Sequence, residues 1–290
     1  MKHILLDALL LPPSDAEEAW RKWRASVDLD RIDPESFNLL PTLAARLPEW
    51  ARDDPQQGML LGICRRAWSE NQIRRKALAE SIAILNAAGI DRVAATGPAL
   101  WGELYWPEGA IRPIEAVDLL VEPANVHAAF DALIRAGWSA PSGLPPAGGN
   151  DFYFGYRVAI RASDGGDGSE IRLHWRSLPH TDFALRRPLV PLLAPIPVEH
   201  SLVAALGGDM EDRLGWKCDA LFLCGQPGLN WNLTAELLRW RSKARNRLEQ
   251  LRRERLAEIP AEVTHPPRTA PLERILSSAL RAHRGAKRLG

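Results

Sequence analysis

Two runs of residues decide how this chain folds: Thr96-Gly97-Pro98, and Ile111-Arg112-Pro113-Ile114-Glu115-Ala116-Val117-Asp118-Leu119-Leu120-Val121. They read as a glycine turn, a short helix over 99–105, a loop over 107–113, and a buried strand over 115–121 that carries one carboxylate. A lone carboxylate in an apolar strand is costly unless something pairs with it. Asp118 is therefore either a functional ligand or a charge that another side chain neutralises.

Working outward, the segment 91–95 is short, small and β-compatible, and Gly97-Pro98 ends it. After Val121, Glu122-Pro123 opens a helix with Val126, Ala129, Phe130 and Leu133 on one side and Gly137 as its cap. A loop rich in proline and glycine follows over 141–150. Phe152 to Ile160 reads as a strand, Ser163 to Gly168 as a turn, and Glu170 to Trp175 as the next strand. This is a small α/β unit over 91–180.

The flanks read as helical. Residues 1–90 begin with an apolar run that stops at Pro12-Pro13. A capping box at Ser14 and Glu17 starts a helix with Trp20 and Trp23. Asp33-Pro34 starts another, with Phe37, Leu40 and Leu43 on one side and Pro41 against its continuation. Asp54-Pro55 starts a long helix to about Ala88, with Gly89 as C-cap. In the C-terminal region, 181–258, a proline-spaced connector leads to a helix from Val198 to about Leu223, broken near Gly207-Gly208. One further helix from Trp231 places Leu233, Leu237, Trp240, Ala244, Leu248 and Leu251 on one stripe. Residues 259–290 read as a loose tail with a short helix around 272–284. The fold class is α+β: a small mixed sheet between two helical regions.

Composition bounds the function. The chain has 290 residues, 46% hydrophobic and 25% charged, with a net charge of +1. That balance exerts no global pull on nucleic acid or a membrane surface. The basic face of the last helix, with Arg241, Arg245, Arg252 and Arg253, reads as solvated. The N-terminal apolar run is too short to span a bilayer, and the expected location is the cytoplasm. The three cysteines, Cys64, Cys218 and Cys224, form no CxxC pair and imply neither a zinc site nor a disulfide framework. Eleven tryptophans point to large, aromatic cores.

The segments Ala94-Ala95-Thr96-Gly97-Pro98-Ala99-Leu100 and Arg112 to Val121 together resemble the polymerase-β-like nucleotidyltransferase superfamily. The similarity is to a bacterial branch of uncharacterised nucleotidyltransferases. Leu173-His174-Trp175-Arg176 resembles a later strand of that branch, Glu199-His200 the start of its C-terminal helices, and Phe37 to Leu47 an N-terminal helix. The resemblance covers roughly residues 1–255. It implies a nucleotidyltransferase-type sheet, and a glycine turn that holds nucleotide phosphates, with Thr96, Gly97, Pro98 and Arg112 at the phosphate site. It also implies carboxylates at i and i+2 of one strand, plus a third on a neighbouring strand, holding Mg2+.

The chain departs from that pattern. Thr96 stands where a lysine is common, Ala116 replaces the first carboxylate, and Arg172 replaces the third. An arginine repels a divalent cation and attracts Asp118 instead, so side-chain contact between Arg172 and Asp118 is expected. Glu170 shares the strand face of Arg172, which leaves Asp118 and Glu170 as the candidate catalytic and metal pair, and Arg172 joins Thr96, Gly97, Pro98 and Arg112 as a candidate nucleotide-binding residue. His174 reads as a hydrogen-bonded core histidine, and Asp219 as a structural salt-bridge partner.

The expectation is a nucleotide-binding protein of the nucleotidyltransferase type with reduced or lost metal-dependent transfer. One alternative is an active Mg2+-dependent nucleotidyltransferase acting on a peptide, sugar or small molecule. The other is a non-enzymatic scaffold for a peptide or protein partner.

Overall fold

The computed structural model describes residues 2–91, 93–97, 104–106, 108–141, 143–146, 157–162, 170–176, 178, 196–207, 215–239 and 241–264. The chain opens with α1 (Lys2–Leu10) and α2 (Pro13–Ala25). The second helix starts on proline, whose fixed φ already suits a first helical residue. The expected capping box does not form: Pro12 is the N-cap, and the Ser14 hydroxyl donates to the neighbouring Asp15 carboxylate at 3.3 Å.

Next comes α3 (Pro34–Leu39), whose N-cap Asp33 accepts from the backbone N–H groups of Glu35 and Ser36. Pro41 converts its continuation into a 3-10 turn over Leu40–Leu43. The short α4 (Leu47–Trp50) precedes the long α5 (Gln57–Ala87). That long helix begins at Gln57, later than the expected Asp54-Pro55 start. The Asp54 carboxylate caps the preceding turn through the Gln56 N–H at 2.8 Å and takes two hydrogen bonds from Arg24. Gly89, at φ +76°, closes the helix as read.

Trp20 and Trp23 stack with ring centroids 5.3 Å apart, and Trp20 meets Trp50 at 6.4 Å. They anchor an N-terminal core with Leu5, Leu40, Leu43 and Leu60.

The described strands are β1 (Val93–Thr96), β2 (Val117–Val121), β3 (Trp138–Ser139), β4 (Arg157–Ala162) and β5 (Glu170–His174). Their spatial order is β1-β2-β5-β4-β3. Only β2 and β5 pair in parallel. The sheet is small and mixed, as expected. The two-residue β3 had no signal of its own in the sequence and exists by pairing with β4. The crossover from β2 carries α6 (Val126–Arg135).

One sheet face is apolar. Val93, Val117, Leu119, Val121, Val158, Ile160, Ile171 and Leu173 pack against Leu85 of α5 and Val126, Ala129 and Leu133 of α6. Because side chains alternate along a strand, the opposite face takes the intervening residues. Those are Ala94 and Thr96 on β1, Asp118 and Leu120 on β2, and Glu170, Arg172 and His174 on β5. The polarity of that second face makes it the place to look for chemistry.

The C-terminal region holds α7 (Val198–Gly207), α8 (Gly215–Cys224), α9 (Trp231–Leu238), α10 (Ser242–Arg253) and α11 (Ala261–Thr264). The helix expected to run unbroken from Trp231 through Leu251 is two helices. No proline or glycine marks the break, and the Arg241 guanidinium donates to the Leu237 carbonyl there, satisfying a terminal acceptor. The packed region also runs past 259. Val263 and Thr264 are buried, and the Thr264 hydroxyl donates to Glu249 at 2.7 Å. No described helix is long and apolar enough to cross a membrane. The helix expected over 272–284 and most of that expected over 99–105 lie outside the described residues.

Candidate functional site

The second face of the sheet converges on Asp118. Strand pairing sets Asp118 opposite Thr96 on β1 and opposite Arg172 on β5. Cross-strand partners share a face with Cβ atoms ~5 Å apart, so register alone brings Asp118 and Arg172 together. The carboxylate side chain is only 6% exposed.

His174, one full strand period from Arg172, is the nearest partner: its Nε2 donates to Asp118 Oδ1 at 2.7 Å. A carboxylate can only accept, so Nε2 carries the proton in this bond. Arg172 Nη1 lies 4.0 Å from the same oxygen, an ion pair without a hydrogen bond. Its Nε donates to Glu170 Oε1 at 3.2 Å. The sheet face thus carries a chain of alternating character, Glu170–Arg172–Asp118–His174.

Gly97 closes the site from β1. It sits at φ +75°, and a Cβ there would come within 2.5 Å of Asp118 Oδ2 and 3.0 Å of its Cγ. Both the left-handed backbone and the close approach of the carboxylate require glycine at this position. Gly97→Ala is expected to cost about 1–3 kcal/mol of stability, read as a shifted midpoint in urea denaturation. An unchanged midpoint would mean that Asp118 is not seated against the turn. Thr96 is buried beside Gly97 in the Asp118 row. Pro98 lies outside the described residues.

Arg112 points to different chemistry from the phosphate contact that the resemblance implies. Its Nε and Nη2 donate to Asp219 Oδ1 and Oδ2 at 2.9 and 2.8 Å, and its Nη1 donates to the Pro113 carbonyl at 2.8 Å. The guanidinium also lies 5.4 Å from the Trp106 ring centre. Burial disfavours the guanidinium charge, but the Asp219 carboxylate outweighs it and moves the net shift upward. The pair joins the loop before β2 to α8. Asp219 is the structural partner expected of it, and its partner is Arg112.

A divalent cation has no ready place at Asp118. The two carboxylates expected to share it are bridged by the Arg172 guanidinium, which contacts both. Asp118 has already accepted a proton donor from His174. Among the described residues no group of three or more His, Cys, Asp or Glu side chains is placed to hold a metal ion. Mg2+ wants several oxygen ligands in octahedral array, and this donor set does not fit it.

Sequence reasoning passed over two β4 residues. Arg161 pairs in register with Glu170, and Arg157 with His174.

A separate open groove of about 340 Å³ lies over the N-terminal helices, lined by Ala44, Pro48, Leu61, Cys64, Arg65, Trp68 and Ile111. Burial pushes the Cys64 thiol up to about 11, which leaves it a poor nucleophile at neutral pH.

No protein-family model, no curated protein and no solved structure matches this chain.

Proposed function

We propose that this chain is a nucleotidyltransferase-like protein that binds a nucleoside triphosphate between Gly97 and Asp118 and has reduced or lost metal-dependent nucleotidyl transfer. The order of the glycine turn, the Arg112–Val121 segment and the Leu173–Arg176 segment supports the family side of this reading. The mixed sheet that sets Gly97 and Arg172 on either side of Asp118 is consistent with it.

One observation carries the functional side. Asp118 is satisfied by His174 at 2.7 Å and by Arg172 at 4.0 Å, which is charge balance supplied by protein rather than by a cation. In-line transfer from a triphosphate relies on metal ions to bridge phosphate oxygens and absorb developing charge. Without that, binding can persist while turnover falls.

The test combines equilibrium binding of ATP, CTP, GTP and UTP with mass-spectrometric detection of nucleotidylated products and released pyrophosphate. Binding without turnover is the expected result. Transfer that requires Mg2+ and vanishes in Asp118→Ala would establish the active-enzyme alternative. Absence of binding to any nucleotide, with or without Mg2+, would remove the reading altogether.

A further inference from the structure

The middle of α5 is basic on its exposed side. Over 65–80, Arg65, Arg66, Arg74, Arg75 and Lys76 stand against Glu70 and Glu80, an excess of three positive charges. Arg66 pairs with Glu70 at 2.8 Å and Lys76 with Glu80 at 3.6 Å. Arg65 is exposed and has no hydrogen bond or ion pair among the described residues. Trp68, three residues on and so on the same side of the helix, is 55% exposed, the most of any large apolar side chain among the described residues. Both line the open groove of about 340 Å³. The other walls are apolar: Leu61 of α5, Ala44, Pro48 and Ile111. Burial keeps the Cys64 thiol protonated at neutral pH, so Arg65 supplies the one charge of the lining. The groove is built before any partner arrives. The Ile111 N–H donates to the Pro41 carbonyl at 3.0 Å. Asn71 of α5 holds the same loop, donating to the Arg112 carbonyl at 2.9 Å and accepting from the Ile114 N–H at 3.0 Å. A preformed groove lowers the ordering cost of binding.

We infer that this groove docks an acidic segment of another protein, which seats a bulky apolar side chain against Trp68 and places a carboxylate beside Arg65. The inference goes beyond the nucleotide reading and does not rest on it. Exposed tryptophan and arginine are the residues that most often anchor such contacts, and the excess charge of α5 steers an acidic partner toward them. A pocket for a small molecule encloses most of its ligand. This groove is open along one side and suits a side chain projected from a larger partner. A nucleic acid would meet the arginines and stack on Trp68, but leaves the aliphatic walls without a counterpart. Residues 265–290 of the chain itself carry six lysines and arginines against Glu273, and a second copy presents the same basic helix. Like charge argues against both.

Panning a random phage-displayed peptide library on the full chain tests this, with the enriched peptides synthesised and titrated by fluorescence anisotropy. They are expected to carry leucine or an aromatic residue next to aspartate or glutamate. Trp68→Ala is expected to weaken their binding about tenfold or more, as loss of an aromatic anchor does. Arg65→Glu is expected to weaken it about tenfold. The same peptides with their acids replaced by lysine are expected to bind Arg65→Glu more tightly than wild type, a gain that damage to the fold cannot produce. Failure to enrich any peptide, enrichment of basic peptides, or affinities unchanged in Trp68→Ala overturns the inference. A labelled single-stranded oligonucleotide that binds through Trp68 more tightly than the peptides overturns it in favour of nucleic acid. A synthetic 265–290 peptide that does so makes the chain's own segment the occupant. A wild-type dimer in sedimentation equilibrium that Trp68→Ala dissociates makes it a second copy, and either result overturns the inference.

Discussion

Arg112→Ala is expected to destabilise the protein by about 3–5 kcal/mol, the cost of leaving one partner of a buried ion pair uncompensated. The Asp219 side chain is 3% exposed and that of Arg112 is 12% exposed, so water cannot replace the lost guanidinium. The same substitution removes the Pro113 contact and the Trp106 stack. Arg112→Lys recovers little, because an ammonium cannot make the two parallel bonds to Asp219. Arg112→Met combined with Asp219→Leu recovers most of the loss, since it leaves neither charge stranded. Thermal and urea denaturation read all three. A loss below about 1 kcal/mol in Arg112→Ala would mean that the pair is solvated and does not hold α8 to the sheet.

The second large effect concerns metal. Ala116→Asp with Arg172→Asp restores carboxylates at the two positions where the resemblance expects them. Without a cation the variant gathers like charges around Asp118 and strips it of its arginine, and Ala116 is itself buried. It is therefore expected to melt well below wild type in EDTA. Binding to the folded state alone raises apparent stability by mass action, so saturating Mg2+ should recover several degrees of melting temperature in the variant. The wild-type melting temperature should not respond. A variant as insensitive to Mg2+ as wild type would show that carboxylates at these two positions are not enough to make a metal site beside Asp118.

Legibility in the sequence followed locality. Strand and helix positions fixed by periodicity were readable, and so was the helix end at Gly89. The juxtaposition of Asp118 and Arg172 was readable because both sit at strand positions whose parity fixes their faces, and the pairing of β2 with β5 puts them in one row. His174 as the nearest partner of Asp118 was not, because it lies one residue pair further along the parallel strand and only side-chain geometry brings Nε2 to 2.7 Å. The Arg112–Asp219 pair joins residues 107 apart in sequence, and nothing local selects that partner. The capping box at Ser14 failed because Pro12-Pro13 already starts the helix. The break between α9 and α10 has no proline or glycine to announce it, and an apolar stripe continues across it.

These observations converge on one physical statement about Asp118. Its charge is balanced by an imidazole N–H and a guanidinium on the adjoining strand, and the glycine turn is packed against it. The most direct measurement is a titration of Mn2+, standing in for Mg2+, into the protein followed by electron paramagnetic resonance, with and without ATP and repeated on Asp118→Ala. The account predicts that wild type and Asp118→Ala take up Mn2+ equally weakly in both conditions. Tight Mn2+ binding to wild type that disappears in Asp118→Ala would contradict it.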